Sequence, residues 1–363
     1  VGNSFTAPAL GTLVPGPYNG DKLLKVSISH SGISACTPAV GKEPIALADD
    51  ETLTCSAASV DTATTKATLT GYYLYDIDKY GNRLDEGQFV ENGTSYTHQT
   101  GDKEIEWIYD NVKYKVDATF EGGSISHSSA SGWYNAGEIA YISPINGTRR
   151  YCGWDGEIIS NVMKGKRDLS ILVDKPVSLS VISATPWVYD AGAKVLSNDL
   201  WTITAETVTQ NGNSGLRLRN ATKGTAVLDL TDVEADTNYK VIGCHGKANL
   251  VGVFTDNAAV RTGIIAFIGP DVVYFDGGWA LSCVFEGCVN LAYVRLSPDF
   301  YQFGSYAFNG CKSLEEIFPT RYEKCVSLGR QTFAGCGKLK GDFVFEILES
   351  FAGDYGLVFK DCV

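Results

Sequence analysis

Ten cysteines and four histidines carry the most reactive side chains in this sequence of 363 residues. Cys244 followed by His245 brings together the types that make a thiolate nucleophile and its base. Neighbours in a strand point to opposite faces, so these two cannot pair directly. Cys36, Cys55, Cys152, Cys244, Cys283 and Cys325 form no CxxC pair and no Cys/His metal spacing. Cys36 and Cys55 could bridge two strands in an oxidising compartment, or stay as buried thiols. The remaining four cysteines fall on one repeating motif.

Carboxylates are the other candidate chemistry. "DIDKYGN", from Asp76, has the acidic spacing that opens a calcium loop. The fifth position is Tyr80 and the twelfth is Gly87, where a bidentate Glu would be needed, so a turn with Gly81 at positive φ explains the residues more simply. A glycosidase needs two carboxylates about 5–10 Å apart, and no local motif marks such a pair. No phosphate loop, serine nucleophile elbow or zinc helix occurs. No metal or cofactor is expected. Asn92, Asn146 and Asn220 each start a glycosylation triplet by pattern.

The net charge is −12 and no run of Lys or Arg stands out. A nucleic-acid or anionic-membrane partner is therefore not expected, since both need a positive footprint. No apolar stretch reaches the ~18–20 residues that cross a bilayer. The sequence starts at Val1 and stops in the middle of a repeat, which leads us to expect a trimmed piece whose leader or anchor has been removed.

The elements that position these residues are mainly strands. "VFEGCVNLAYVRL" from Val284, "AFNGCKSLEEIFP" from Ala307, "TFAGCGKLKGDFVF" from Thr332 and "VFKDCV" from Val358 are copies of one unit. Phe285, Phe308, Phe333 and Phe359 recur at spacings of 23, 25 and 26. Cys288, Cys311, Cys336 and Cys362 follow them, with Leu291, Leu314 and Leu339 three residues later. Such a period is the signature of a solenoid. Equivalent positions of stacked coils lie about 4.8 Å apart, so each must tolerate its own copy. A Phe column and a column of reduced Cys fill a narrow interior.

These stretches, and above all "VRLSPDFYQFGSYAFNGCKSLEEIFP" from Val294, resemble BspA-like leucine-rich-repeat proteins over about residues 270 to 363. The resemblance implies a curved β-solenoid with a binding or adhesive role at a cell surface, and it implies no enzyme. Nearer the N-terminus, "GYYLYDIDKYGN", "GTSYTH" and "YKVDATFEGG" resemble later strands of a fibronectin type III domain. That likeness covers about residues 5 to 128, with an insertion from Gln99 to Asp110.

Between them, "LSILVDKPVSLSVISA", "GLRLRNATKGTAVLDLTDV" and "NYKVIGCHG" read as further strands. The expected order is thus a fibronectin III-like sandwich over 1–130, a second sandwich over 131–250 and the solenoid over 251–363. Two surfaces are candidates for a ligand. One is the solenoid's non-core positions, including Tyr293, Arg295, Tyr301, Arg321 and Tyr322, whose types suit protein recognition. The other is the aromatic segment holding Trp133, Tyr134, Tyr141, Tyr151 and Trp154, although large aromatics of this kind read first as a packed connector between domains. The functional expectation is a non-enzymatic extracellular protein that binds a protein or glycan. A phage virion structural protein and a carbohydrate-active enzyme are the alternatives.

Overall fold

A computed structural model describes residues 22–41, 43–210, 212–245, 252–269, 272–276, 284–346, 350–351 and 358–362. The expected lead from Phe5 and Cys283 lie outside these described residues. Contacts group the chain into two units: 1–117 with 128–140 and 170–177, and 118–127 with 141–169 and 178–363.

The first unit is built on the strand Lys103–Thr119. Its first half is the stretch read from sequence as an insertion after Gln99. Lys22–Ile28 pairs with it in parallel, and Thr65–Asp76 and Trp133–Asn135 pair antiparallel. A second, three-stranded antiparallel sheet is made of Cys36–Thr37, Leu53–Ala57 and Ser95–His98. Alternation sends Tyr72 and Trp107 into the core, where their rings meet edge-on at 5.1 Å, with Tyr96 of the second sheet 5.9 Å from Tyr72. Cys36 and Cys55 are free thiols, and burial raises Cys55 to a pKa of about 11.

The second unit holds the repeats. Its long sheet begins antiparallel with Val188–Asp190, Val195–Ser197, Thr202–Gln210 and Asn213–Lys223. From Asn213–Lys223 onward the pairings turn parallel, through Val241–His245, Tyr274–Asp276, Gln302–Phe303, Ser327–Leu328 and Ser350–Phe351. The strands expected in a second sandwich therefore include the opening strands of the solenoid's own sheet. The reason is their inward residues: Leu196, Trp201, Ile203, Leu216 and Leu218 share one core cluster with Phe285, Phe308 and Phe333. Trp201 packs edge-on to Phe254 at 6.3 Å and its Nε1 donates to Val227 O at 2.8 Å. This antiparallel hairpin covers the edge that a first solenoid coil would otherwise present to water.

The interior follows the repeat. Phe285 and Phe308 stack at 5.3 Å, Phe308 and Phe333 at 5.5 Å, and Phe333 and Phe359 at 5.2 Å, all within 14° of parallel. Phe254 extends the column by one ring, 4.8 Å from Phe285. Phe359 ends the described column and is partly exposed, and Leu339 and Cys362 are only partly buried against the core. Each Cys Sγ donates back to the Phe carbonyl one coil earlier: Cys311 to Phe285, Cys336 to Phe308 and Cys362 to Phe333, at 3.0–3.1 Å. Burial pushes the Cys288 and Cys336 thiols up to about 12, so they stay protonated and unreactive. The residue before each Cys sits at positive φ; Gly287, Gly310 and Gly335 fill it, and Asp361 takes the same conformation at 60°.

A second, short parallel sheet joins Val227–Asp229, Ala266–Gly269, Tyr293–Leu296 and Glu316–Phe318 in that order. It is the sheet that matters for a site.

Candidate functional site on the outer face of the short sheet

Strand alternation divides the short sheet into two faces. Leu228, Phe267, Val294 and Ile317 point into the Phe-lined core. Their neighbours point out and align across the strands in two rows. Val227, Ala266, Tyr293 and Glu316 form the first; Asp229, Ile268, Arg295 and Phe318 form the second.

A short helix, Asn161–Gly165, covers the early part of the first row. The Ser160 side chain caps it by accepting from Met163 N at 3.2 Å. Val162 packs with Val227, Ala266, Ile268 and Tyr293. Gly165 is required by proximity: a Cβ there would lie 2.5 Å from the Tyr293 ring and 2.6 Å from Ala266 Cβ. The segment that follows is pinned from behind. Tyr151 Oη donates to Lys166 O at 2.9 Å, and Trp154 Nε1 donates to Arg167 O at 3.0 Å. Lys166 and Arg167 are thereby set at the edge of the covered region.

Beyond them the face is open. Lys166, Arg167, Asp168, Tyr293, Arg295, Glu316 and Phe318 line a groove of about 360 Å³. Lys166 Nζ lies 2.8 Å from Glu316 Oε2 and 5.7 Å from the centre of the Tyr293 ring. Phe318 is 50% exposed, whereas the stacked Phe285, Phe308 and Phe333 are fully buried. Burial raises the Tyr293 hydroxyl to about 12, so it remains a neutral donor. At the covered end, Asp229 is fully buried. Desolvation lifts its pKa to about 6, against hydrogen bonds from Thr231 that favour its charge.

The candidate residues from sequence are placed as follows. Arg295 is half-buried in this groove, whereas the non-core position assigned to Tyr293 is corrected: it lines the groove but is only 5% exposed, packed with Val227, Ala266 and Ile268 beneath the short helix. Tyr322 is fully buried in the core, so the outward position assigned to it is corrected: its ring stacks on Phe345 at 5.6 Å. Arg321 is exposed and pairs with Glu346. Tyr301 packs beside Ile242 and Val273 on the long sheet. The aromatic segment does not form one surface. Tyr134, Tyr151 and Trp154 are buried, Tyr141 is exposed, and Trp133 is partly open, with Lys66 and Lys115 Nζ 5.0 and 5.6 Å from its ring. Trp133 and Tyr134 lie in the first unit, Tyr151 and Trp154 in the second. Arg149 and Arg150 are also engaged, by Asp199 and Asp236. Asn220 is 8% exposed, which removes it as a glycosylation acceptor in the folded chain.

Sequence reasoning missed Lys166, Arg167 and Phe318. Phe318 had a readable signal: it follows Ile317 in a strand and must point the other way. Lys166 and Arg167 had none, because a distant segment brings them to the sheet. Asp78, the second acidic residue of the motif, spends its carboxylate on its own turn, accepting from Tyr80 N, Asn82 N and Asn82 Nδ2 at 2.8–2.9 Å. Among the described residues no group of three His, Cys, Asp or Glu side chains could hold a metal. No helix among them is long and apolar enough to cross a membrane, which says nothing about membrane strands.

No curated protein and no solved structure matches the chain. The fibronectin type III likeness has no support among the comparisons. Residues 281–362, with their stacked Phe rings and Cys ladder, match the model for the BspA type leucine rich repeat region in six copies, and this part of the chain is a BspA-type repeat region.

Proposed function

We propose that the protein is a non-enzymatic binding protein of a cell exterior, and that it engages a protein partner through the outer face of the short sheet. One observation carries the reading. The interior of the solenoid is spent on packing, while Arg295 and Phe318 are set outward at a groove beside Lys166 and Arg167, with the buried Tyr293 ring forming part of its wall. Tyr, Arg and Phe around a concave surface are the types that dominate protein interfaces. BspA-type repeats are typical of surface binding proteins, which supports the location and the class of activity.

The test uses the fluorescently labelled full chain on intact epithelial and bacterial cells, before and after mild trypsin treatment of the cells. Saturable binding that disappears after trypsin and weakens in Phe318→Ala is the expected result. Absence of binding to every cell type, or turnover of a substrate on a glycan panel, would contradict the reading.

A further inference from the structure

We propose that a second site, at the far end of the strand pair Thr202–Gln210 and Asn213–Lys223, binds a neutral hexose unit of a glycan. It shares no residue with the groove on the short sheet.

The first observation is that this strand pair outruns the core. Alternation sends Ile203, Ala205, Leu216 and Leu218 inward, where they join the main cluster. The same rows continue as Thr207, Thr209 and Ser214, and these are exposed. Hydroxyls therefore stand where apolar residues would have extended the core. Glu234 of the helix Val233–Thr237, and the residues just after that helix, form the opposite side of a concavity of about 430 Å³. A small-molecule site has that size.

The second observation is the state of the lining. Glu234, Asn238 and Lys240 line the concavity, and no hydrogen bond or ion pair engages their side chains among the described residues. They offer an acceptor, an amide that both donates and accepts, and a donor. Tyr239, beside them, is 38% exposed. Its ring meets that of Tyr189 at 5.2 Å and 69°, and the Tyr189 hydroxyl donates to Ala205 O at 3.4 Å. The backbone that carries these groups is fixed. Asn238 N donates to Glu234 O at 2.8 Å with Asn238 at a φ of 63°, Tyr239 N donates to Thr237 Oγ1 at 3.2 Å, and Leu216 N donates to Lys240 O at 2.8 Å. Gly215 allows this approach, since a Cβ there would lie 2.4 Å from Lys240 O. A site already in place saves the ordering that binding otherwise costs.

The chemistry of the lining selects the ligand. One carboxylate, Glu234, and one ammonium, Lys240, balance each other. Asp236 and Glu206, on the same elements, are paired with Arg150 and with Arg217 and Arg219. Neither an acidic nor a basic ligand is favoured. Val208, the one branched aliphatic residue of the lining, packs with Ile242 and Val273 and leaves no apolar hole for a protein anchor. What remains is an aromatic ring among hydroxyl, amide, carboxylate and ammonium groups. A hexose matches it with an apolar C–H face and a rim of hydroxyls that both donate and accept. With one lining carboxylate rather than a pair, the site is built for binding and not for glycoside hydrolysis.

The full chain is titrated by ligand-observed NMR with lactose, cellobiose and mannobiose, with trigalacturonate, and with the neutral peptide acetyl-Ser-Gly-Thr-amide. The expected result is saturable binding of at least one of the three disaccharides with a dissociation constant of about 1 mM or tighter. Tyr239→Ala should weaken it by about tenfold. Asn238→Gly, which keeps the backbone conformation and removes the amide, should weaken it as well. No saturable binding of any disaccharide overturns the proposal, and so does binding that both variants leave unchanged. Tighter binding of trigalacturonate or of the peptide also overturns it. Both variants should melt with the wild type; if Tyr239→Ala did not fold, Asn238→Gly decides. Phe318→Ala should leave the sugar titration unchanged, and a loss there would contradict the placement of the site.

Discussion

The inner and outer rows of the short sheet come from the same strands and obey opposite rules. Val294 and Ile317 are fully buried and, like the Phe column, sit where each coil must accept its own copy from the next. Tyr293 and Glu316, or Arg295 and Phe318, are neighbours in register just as close, yet no two of them are alike. Stacking restricts the inside to residues that pack on themselves; the outside escapes that restriction as soon as the backbone ladder is satisfied. The repeat signature therefore specifies the fold, and the departures from it are where recognition can be placed.

Breaking the inner rule should give the largest effect. Phe308 is sandwiched between Phe285 and Phe333 and is fully buried. Phe308→Ala is expected to cost about 3–5 kcal/mol in urea unfolding, through the lost ring and the cavity it leaves. A cost below about 1 kcal/mol would mean that the column is not the structural spine.

The covered end of the outer face offers a second, pH-dependent test. Asp229 is buried near Asp232, Arg167 and Tyr151, and its folded pKa is raised to about 6. A raised folded pKa means the folded chain holds the proton more tightly. That stabilisation is complete below the ordinary carboxylate pKa and is lost as pH rises through about 6. Asp229→Asn keeps an Oδ1 acceptor for Thr231 N and removes the charge. The variant should gain on the wild type by about 2 kcal/mol between pH 4 and pH 7. A constant difference across that range would show that the carboxylate is not desolvated there. The smallest effect belongs to chelation: EDTA is expected to leave the melting temperature unchanged, as measured by circular dichroism, since the Asp78 oxygens cap their own turn. A clear drop would point back to that turn.

Much of this contrast was legible in the sequence, and the limits have physical causes. Phe285, Cys288, Leu291 and their copies could be read because one-dimensional stacking repeats its demands at a fixed interval. Phe254 hid because the helix Ala258–Gly263 occupies the place of a Cys turn and Phe285 follows only after 31 residues. The antiparallel strands from Val188 to Lys223 looked like part of a separate sandwich, since alternation alone does not say which core an inward residue joins. The groove was half readable. Arg295 stands out at a non-core position, whereas the burial of Tyr293 beneath the short helix could not be read, and Lys166 and Arg167 follow that helix more than a hundred residues earlier, held by Tyr151 and Trp154. Those two aromatics drew notice as possible ligand platforms; their indole and phenol donors instead satisfy backbone carbonyls inside the fold.

The most direct test of the whole account compares two consecutive residues. Ile317 is fully buried and Phe318 is half exposed on the opposite face of one strand. Melting temperature and cell-surface binding are measured side by side for Ile317→Ala and Phe318→Ala in the full chain. The account predicts that Ile317→Ala loses about 2–5 kcal/mol of stability, while Phe318→Ala keeps the wild-type melting temperature and loses most of the binding. If Phe318→Ala were as destabilised as Ile317→Ala, or bound cells as well as the wild type, the division between a packed inside and a recognising outside would be contradicted.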